Sequence, residues 1–238
     1  MAKKDNTKMP KKENQIDKVA GVVSKYKGLL ITIICVAVVG LIGYAVYEKV
    51  STSVKDKYLS EIEKAEYALI TGTSALSDSE LAPYYEATLK SVEPYTSKGG
   101  IVGARANLLK AEVEFRNKNF EAARTAYIVA ASKVKKTYLA PICYFNAATA
   151  CEELNDAAKA IEYYTLAAED KNFADPTRAW FAVGRLKENS LDYVGAKEAY
   201  EKRKHELYNE IEARRQRIAK EQEKLNMAEA MYAAIQKE

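Results

Sequence analysis

An all-α fold is predicted by three observations on the 238-residue chain. Glycine (10) and proline (5) are scarce. No run of alternating apolar and polar residues lies between hairpin turns. One spacing of small and aromatic residues recurs three times beyond residue 100. Few helix breakers among many Ala, Lys, Glu and Leu favour helix, and the absent alternation argues against strands. The expected order is a single N-terminal transmembrane helix, a helical-hairpin solenoid and a long C-terminal helix. The expected boundaries are a basic cytoplasmic tail (1–28), a membrane helix (29–47), a helical connector, itself a candidate degenerate hairpin (48–100), three repeats (101–205) and a charged C-terminal helix (206–238).

The first two elements follow from charge and hydropathy. Residues 1–28 hold eight lysines against Asp5, Glu13 and Asp17, and residues 29–47 hold no charge. Against a total of +4, the remainder from 48 to 238 is −1. A nearly neutral body lacks the basic face that nucleic-acid binding needs, so no nucleic-acid partner is expected. Leu29 to Tyr47 reads LLITIICVAVVGLIGYAVY. Nineteen residues at about 1.5 Å each cover roughly 29 Å, close to a bilayer's hydrocarbon thickness. Tyr26, Tyr44 and Tyr47 sit at its ends, where interfacial aromatics settle, and the preceding lysines place the N-terminus in the cytoplasm. The rest of the chain is then extracytoplasmic, or periplasmic if the membrane is a bacterial inner one. The run exceeds the usual 7–15 apolar residues of a cleaved signal peptide, and Ser51 and Ser53 follow Glu48 and Lys49, so an anchor is preferred to cleavage. Gly40 and Gly43 share one face of this helix, a minor signal for helix contact.

The connector is read as a helix over 48–70, a loop from Thr71 to Ser77, caps at Asp78 and Ser79, and a helix over 81–92 with Pro83 in its first turn. Glu93 to Gly100 is expected to break it. Beyond Gly100 come the three related stretches. In each, a small residue is followed twelve positions later by alanine and then, after four more, by tyrosine. The triples are Ala111/Ala123/Tyr127, Ala148/Ala160/Tyr164 and Gly184/Ala196/Tyr200. Antiparallel helices that approach closely need small residues at the crossing, and an aromatic fills the gap to the next hairpin. Such hairpins bury their apolar faces only by stacking.

These residues resemble the tetratricopeptide repeat. Trp180, Val183, Gly184, Asp192, Tyr193, Ala196 and Tyr200 match its signature in the third unit. The second keeps Tyr144, Ala148, Ala160, Tyr164 and Ala167 but has Ala157 for an aromatic. The first keeps Ala111, Phe120, Ala123, Tyr127 and Ala130 but has Asn107 for its first aromatic. The resemblance implies a groove on the first helices, lined by Arg105, Leu108, Glu112 and Phe115, by Ile142, Phe145 and Thr149, and by Arg178, Phe181, Arg185 and Glu188. Of these, Phe145, Arg178, Phe181 and Arg185 are expected to make the main contacts. Apolar anchors among paired charges suit an extended segment or a partner helix. The terminal-carboxylate clamp of some such domains is not expected. Its positions fall on Leu108, Glu112, Asn146, Arg178 and Ala182, and Glu112 would repel a carboxylate.

In the C-terminal segment Ile211, Ile218, Leu225 and Tyr232 recur every seven residues, with Leu207, Arg214, Glu221, Ala228 and Ile235 between them. Two readings stay open: a charged capping helix with a narrow packed stripe, or a coiled coil giving self-association or a partner helix.

Catalysis, metal binding and a cofactor are not expected. His205 is the only histidine, and no Cys-x-x-Cys, phosphate loop, nucleophile elbow or H-E-x-x-H is present. Cys35 is read as an apolar filler. Cys143 and Cys151, eight residues apart on one helix, sit about 12 Å apart along its axis, beyond the roughly 7 Å that a disulfide spans.

The whole layout also resembles the ancillary subunit of the bacterial Sec translocon. Lys25-Tyr26-Lys27-Gly28 and Gly43-Tyr44-Ala45-Val46-Tyr47 look similar to that family's membrane entry and exit, while the basic tail and the long last helix depart from it. The resemblance implies a membrane-anchored adaptor, chaperone-like or ancillary to translocation, whose protein partners are the translocon, periplasmic folding factors or exported chains. The alternative is a scaffold subunit of an envelope machine such as a flagellar motor, secretion system or pilus.

Overall fold

The computed structural model describes residues 15–73, 76 and 80–235. Among them there are eight helices and no strand. They are α1 (Gln15–Thr73), α2 (Ala82–Thr96), α3 (Gly100–Arg116), α4 (Phe120–Lys133), α5 (Leu139–Glu153), α6 (Ala157–Glu169), α7 (Pro176–Asn189) and α8 (Tyr193–Ile235). The chain divides into two units, Met1–Asp56 and Lys57–Glu238. The expected caps Asp78 and Ser79, and residues 1–14 of the basic tail, lie outside the described residues.

The first unit holds the early turns of α1. Its apolar residues, among them Ile33, Val39, Leu41 and Ile42, are exposed. Among the described residues this is the one helix long and apolar enough to cross a membrane. Thr32 Oγ1 donates to the Gly28 carbonyl at 3.0 Å, which satisfies that hydroxyl within the helix itself.

The second unit opens with a hairpin that the sequence left undecided. Tyr58 lies 5.3 Å from Tyr95 between ring centroids, and the Tyr84 ring lies against Gly72. The start of the α1 segment thus meets the end of α2, and its end meets the start of α2, so the two run antiparallel. Ile62 and Leu69 share one buried cluster with Tyr85, Val92, Val102, Leu109 and Val113, which joins this hairpin to α3. The break expected from Glu93 onward is displaced, because α2 continues through Pro94 to Thr96. A helical proline forfeits one backbone bond and costs up to about 3 kcal/mol in mid-helix. Near the end of α2 that loss is outweighed by fully buried Val92 and by the Tyr95 ring on Tyr58.

Three hairpins follow, α3 with α4, α5 with α6 and α7 with α8, and they share one turn. Lys118, Asn155 and Leu191 hold φ of 63°, 58° and 62°, at spacings of 37 and 36 residues. After each, an N–H reaches back across the helix end: Asn119 to Glu114, Asp156 to Cys151 and Asp192 to Lys187, all at 2.8–2.9 Å. This is the bond pattern of a helix stopped by a left-handed residue. Next, Ala123, Ala160 and Ala196 donate to the carbonyls of Asn119, Asp156 and Asp192. The recurrent alanines are thereby fixed in the first turn of each second helix, where all three are buried. Their partners in the triples, Ala111, Ala148 and Gly184, are buried opposite them. A Cβ at Gly184 would collide with the Tyr200 ring, which explains the smallest residue at that crossing.

Asn107 takes the place of an aromatic for a specific reason. It is buried, and its Nδ2 donates to the carbonyls of Thr96 at 2.8 Å and Gly103 at 2.7 Å. It ties the end of α2 to α3. Cys143 and Cys151 are free and buried, as the spacing requires, and Cys35 is free and exposed.

Leu191 is 72% exposed in its left-handed position, so its side chain contributes little burial while its Cβ is strained. Leu191→Gly is expected to stabilise the protein by about 0.5–1 kcal/mol, read as a shift of the denaturant midpoint with an unchanged slope.

Candidate functional site

The first helices of the three hairpins, α3, α5 and α7, carry a cleft of about 380 Å³. Five sequence-predicted residues meet there: Phe115, Ile142, Phe145, Thr149 and Arg178. Phe145 forms the floor. It packs edge-on to Tyr164 at 5.0 Å and against Phe173 at 5.8 Å, and the Arg178 guanidinium lies 4.9 Å above its ring. Four further lining residues, Tyr127, Asn146, Phe173 and Asp175, were not assigned to the groove from sequence. Asp175 had a local signal, since Asp-Pro commonly opens a helix. Its carboxylate accepts from the Arg178 backbone N–H at 3.1 Å and from Thr177 Oγ1 at 2.8 Å. This cap fixes the first turn of α7, and with it Arg178, at the rim.

The cleft opens at this place because one repeat position changes character. In the second hairpin the Tyr164 hydroxyl donates to Glu152 at 2.6 Å and lies 3.1 Å from Thr149 Oγ1. In the third, the Tyr200 hydroxyl donates to Glu188 at 2.9 Å. The matching position in the first hairpin, 37 before Glu152, is Phe115. It packs edge-on to Phe120 at 5.2 Å. An acid that would hold the tyrosine is thus replaced by an apolar wall beside Tyr127.

The remaining predicted residues serve other contacts. Arg105 pairs with Glu63 at 2.9 Å and Glu66 at 3.2 Å, fastening α3 to the end of α1. Leu108 is half-buried against two core clusters. Arg185 reaches Glu152 at 2.5 Å, so it binds α7 to the tyrosine network of the second hairpin. Glu188 is the Tyr200 acceptor. Phe181 lies beneath the Arg203 guanidinium at 4.6 Å. Two of the four expected main contacts, Phe145 and Arg178, therefore share the cleft, while Arg185 is committed to holding the hairpins together.

Burial, and next the nearby Glu66 carboxylate, push the Glu112 carboxyl above its ordinary value of 4.5. Burial pushes the Tyr164 hydroxyl up, reinforced by its bond to Glu152, so the hydroxyl remains a donor across the physiological range.

A larger cleft, about 1160 Å³, lies between the end of α6, α7 and the early turns of α8, over Trp180, Val194 and His205. No predicted groove residue lines it. It sits between second helices, and Lys202 closes over the Trp180 ring at 4.1 Å.

Hairpins of this spacing, turn geometry and small-residue crossing define a tetratricopeptide-like helical protein. A TPR repeat-containing protein of Treponema pallidum (strain Nichols) is 33% identical to the chain over 114 residues, 48% of each protein. The chain thus matches about half the length of this curated relative. A family model describing a Chordopoxvirus protein matches residues 27–86, a stretch that ends before the three hairpins begin.

Two outcomes test the site's electrostatics and its frame. The folded protein holds the Glu112 proton more tightly than the unfolded chain does, so this residue's contribution to stability falls as pH rises from about 4.5 through the raised folded value. Glu112→Gln should raise the thermal midpoint at pH 7–8 and leave it unchanged near pH 4. Tyr164→Phe strips the bond from Glu152 and Thr149, and should cost about 1–2 kcal/mol in chemical denaturation.

Proposed function

We propose that this protein is a non-catalytic, membrane-anchored adaptor that holds a segment of another protein on the face formed by α3, α5 and α7. The observation that carries this reading is the apolar cleft between Phe115 and Phe145 with Arg178 at its edge. A cleft of about 380 Å³ accommodates one large side chain with its flanking backbone, and Asn146 and Thr149 offer polar groups for that backbone. Extended-segment recognition of this kind places affinity in one or two buried anchors and orientation in the polar rim. The name of the Treponema pallidum relative, a TPR repeat-containing protein, supports a repeat that serves protein–protein contact.

The anchor is α1. Its exposed apolar residues and the lysine-rich stretch before them support a span with a cytoplasmic N-terminus. The helical body then faces the extracytoplasmic or periplasmic side of an inner membrane. In that setting we infer partners among the translocon, periplasmic folding factors and exported chains. The resemblance to the Sec ancillary subunit supports this choice. The second reading is a scaffold subunit of an envelope machine, and one observation favours it: α8 runs far beyond its own hairpin, as an assembly element would.

Photo-crosslinking in the host, with probes at Ile142 and Phe115 in the full chain, distinguishes the two. Adducts to translocon subunits and many exported chains are the expected result. Adducts to one structural protein of a single machine would select the scaffold. With the probe at Ile142, alanine at Phe115, Phe145 and Arg178 together should abolish the adducts in a stably folded protein; unchanged adducts would place the contact surface elsewhere.

A further inference from the structure

The second half of α8 is unlike every other helix of the body. From Leu207 to Tyr232 every residue is exposed. The reading of this segment as a capping helix with a packed stripe is therefore corrected, because the stripe packs on nothing among the described residues. Leu207, Ile211, Ile218, Leu225 and Tyr232 are 37%, 47%, 65%, 51% and 65% exposed. Together with Arg214, Glu221 and Ala228 between them, they form one seam with the three-and-four spacing of a coiled coil. The segment extends about 39 Å at 1.5 Å per residue. Helices of this kind draw most of their stability from burying an apolar face, and this face is unburied.

We propose that this half of α8 pairs with the same segment of a second copy as an antiparallel two-stranded coiled coil. The two polar residues in the seam select both partner and direction. Arg214 and Glu221 are one heptad apart and opposite in charge. A parallel, in-register pair would set Arg214 against the partner's Arg214, and Glu221 against the partner's Glu221. Like charges meeting in a seam repel and lose water without compensation. Reversing one helix places Leu225 opposite the partner's Arg214 and Ile218 opposite the partner's Glu221. Each Glu221 then lies within about one turn of the partner's Arg214 and beside the partner's Arg217. The same alignment sets Tyr232 on the partner's Leu207 and Ile211 on the partner's Ala228, so the ends of the seam are apolar. Among the described residues of one copy Arg214 pairs with Glu210, both on the surface at 66% and 46% exposure. That pair is worth little and is free to exchange.

The test uses the full chain in density-matched detergent, followed by sedimentation equilibrium. The native protein should be a dimer in the low micromolar range, and the Ile218→Glu, Leu225→Glu variant should dissociate at least about 100-fold more readily. A native protein that stays monomeric overturns the proposal. So does a variant that stays dimeric, since association would then lie elsewhere. Emission of Trp180, the only tryptophan, monitors the body in both proteins, because it lies in the core of the last hairpins. Direction is read by oxidative crosslinking on a C35A background. Cys143 and Cys151 are buried, and burial pushes the Cys143 thiol up to about 12, so neither competes. Mixed copies carrying R214C and L225C should form 214–225 crosslinks. Crosslinks of 225 to 225, or none, overturn the antiparallel pairing.

Discussion

The close approach of the two helices in each hairpin is the constraint on which the body depends. Alanine at 123, 160 and 196, and the small residue twelve positions earlier, are buried and let the two helices approach closely, at Gly184 with the Tyr200 ring directly against the backbone. The tyrosine four residues on is then driven into the gap toward the next hairpin. Once there, its hydroxyl needs a partner, since an unpaired buried hydroxyl costs about 1–3 kcal/mol. Glu152 meets that need in the second hairpin, and in the third Glu188 accepts from the more exposed Tyr200 hydroxyl. Arg185 in turn neutralises Glu152. The packing requirement and the polar network are one arrangement, and the network is how successive hairpins are held in register.

The same logic explains where the array ends. Ala130 and Ala131 on α4, and Ala167 and Ala168 on α6, are buried where the following hairpin packs. The equivalent positions on α8 are Arg203 and Lys204. A further helix cannot approach two long cations as closely as it approaches two methyl groups. Phe145 is covered by Arg178 of the next hairpin, whereas Phe181, its counterpart, is covered by Arg203 of its own hairpin. Lys202 does the same for Trp180. Each cation over a ring contributes about 0.5–1 kcal/mol at such exposure, enough to shield apolar surface without a fourth partner helix. Freed from packing, α8 runs on.

Much of this was legible in the sequence because it depends on spacing. The membrane-length apolar run, the three small–alanine–tyrosine triples and the uninterrupted last helix are local patterns, and each corresponds to an element of the structure. What spacing does not carry is the partner of a polar side chain. Arg105 and Arg185 occupy groove positions by register, yet Glu63 and Glu66 claim the first and Glu152 the second. Nothing within either helix announces those acids, which lie 42, 39 and 33 residues away. The continuation of α2 through Pro94 was hidden for a similar reason, since the stabilising contact is Tyr58 on another helix. The cleft was half legible: Phe145 and Arg178 follow from register, whereas Phe173 and Asp175 come from a loop whose path no repeat dictates.

The substitution at Phe115 connects these points to function. In a regular array every tyrosine would find its acid, and the face of α3, α5 and α7 would be a closed lattice of hydrogen bonds and ion pairs. Putting phenylalanine at one node removes the acceptor, and with it the reason for the neighbouring polar groups to converge there. Tyr127, still buried, borders a hollow at the position where its counterparts donate to a carboxylate. A stability cost at one repeat therefore produces an apolar opening among these first helices that five of the predicted groove residues line. Departures from a repeat's own consensus are where an otherwise uniform scaffold becomes selective. On the adaptor reading we propose, the first hairpin, the one that matches its signature least well in its helix α3, is the place where a partner would be chosen.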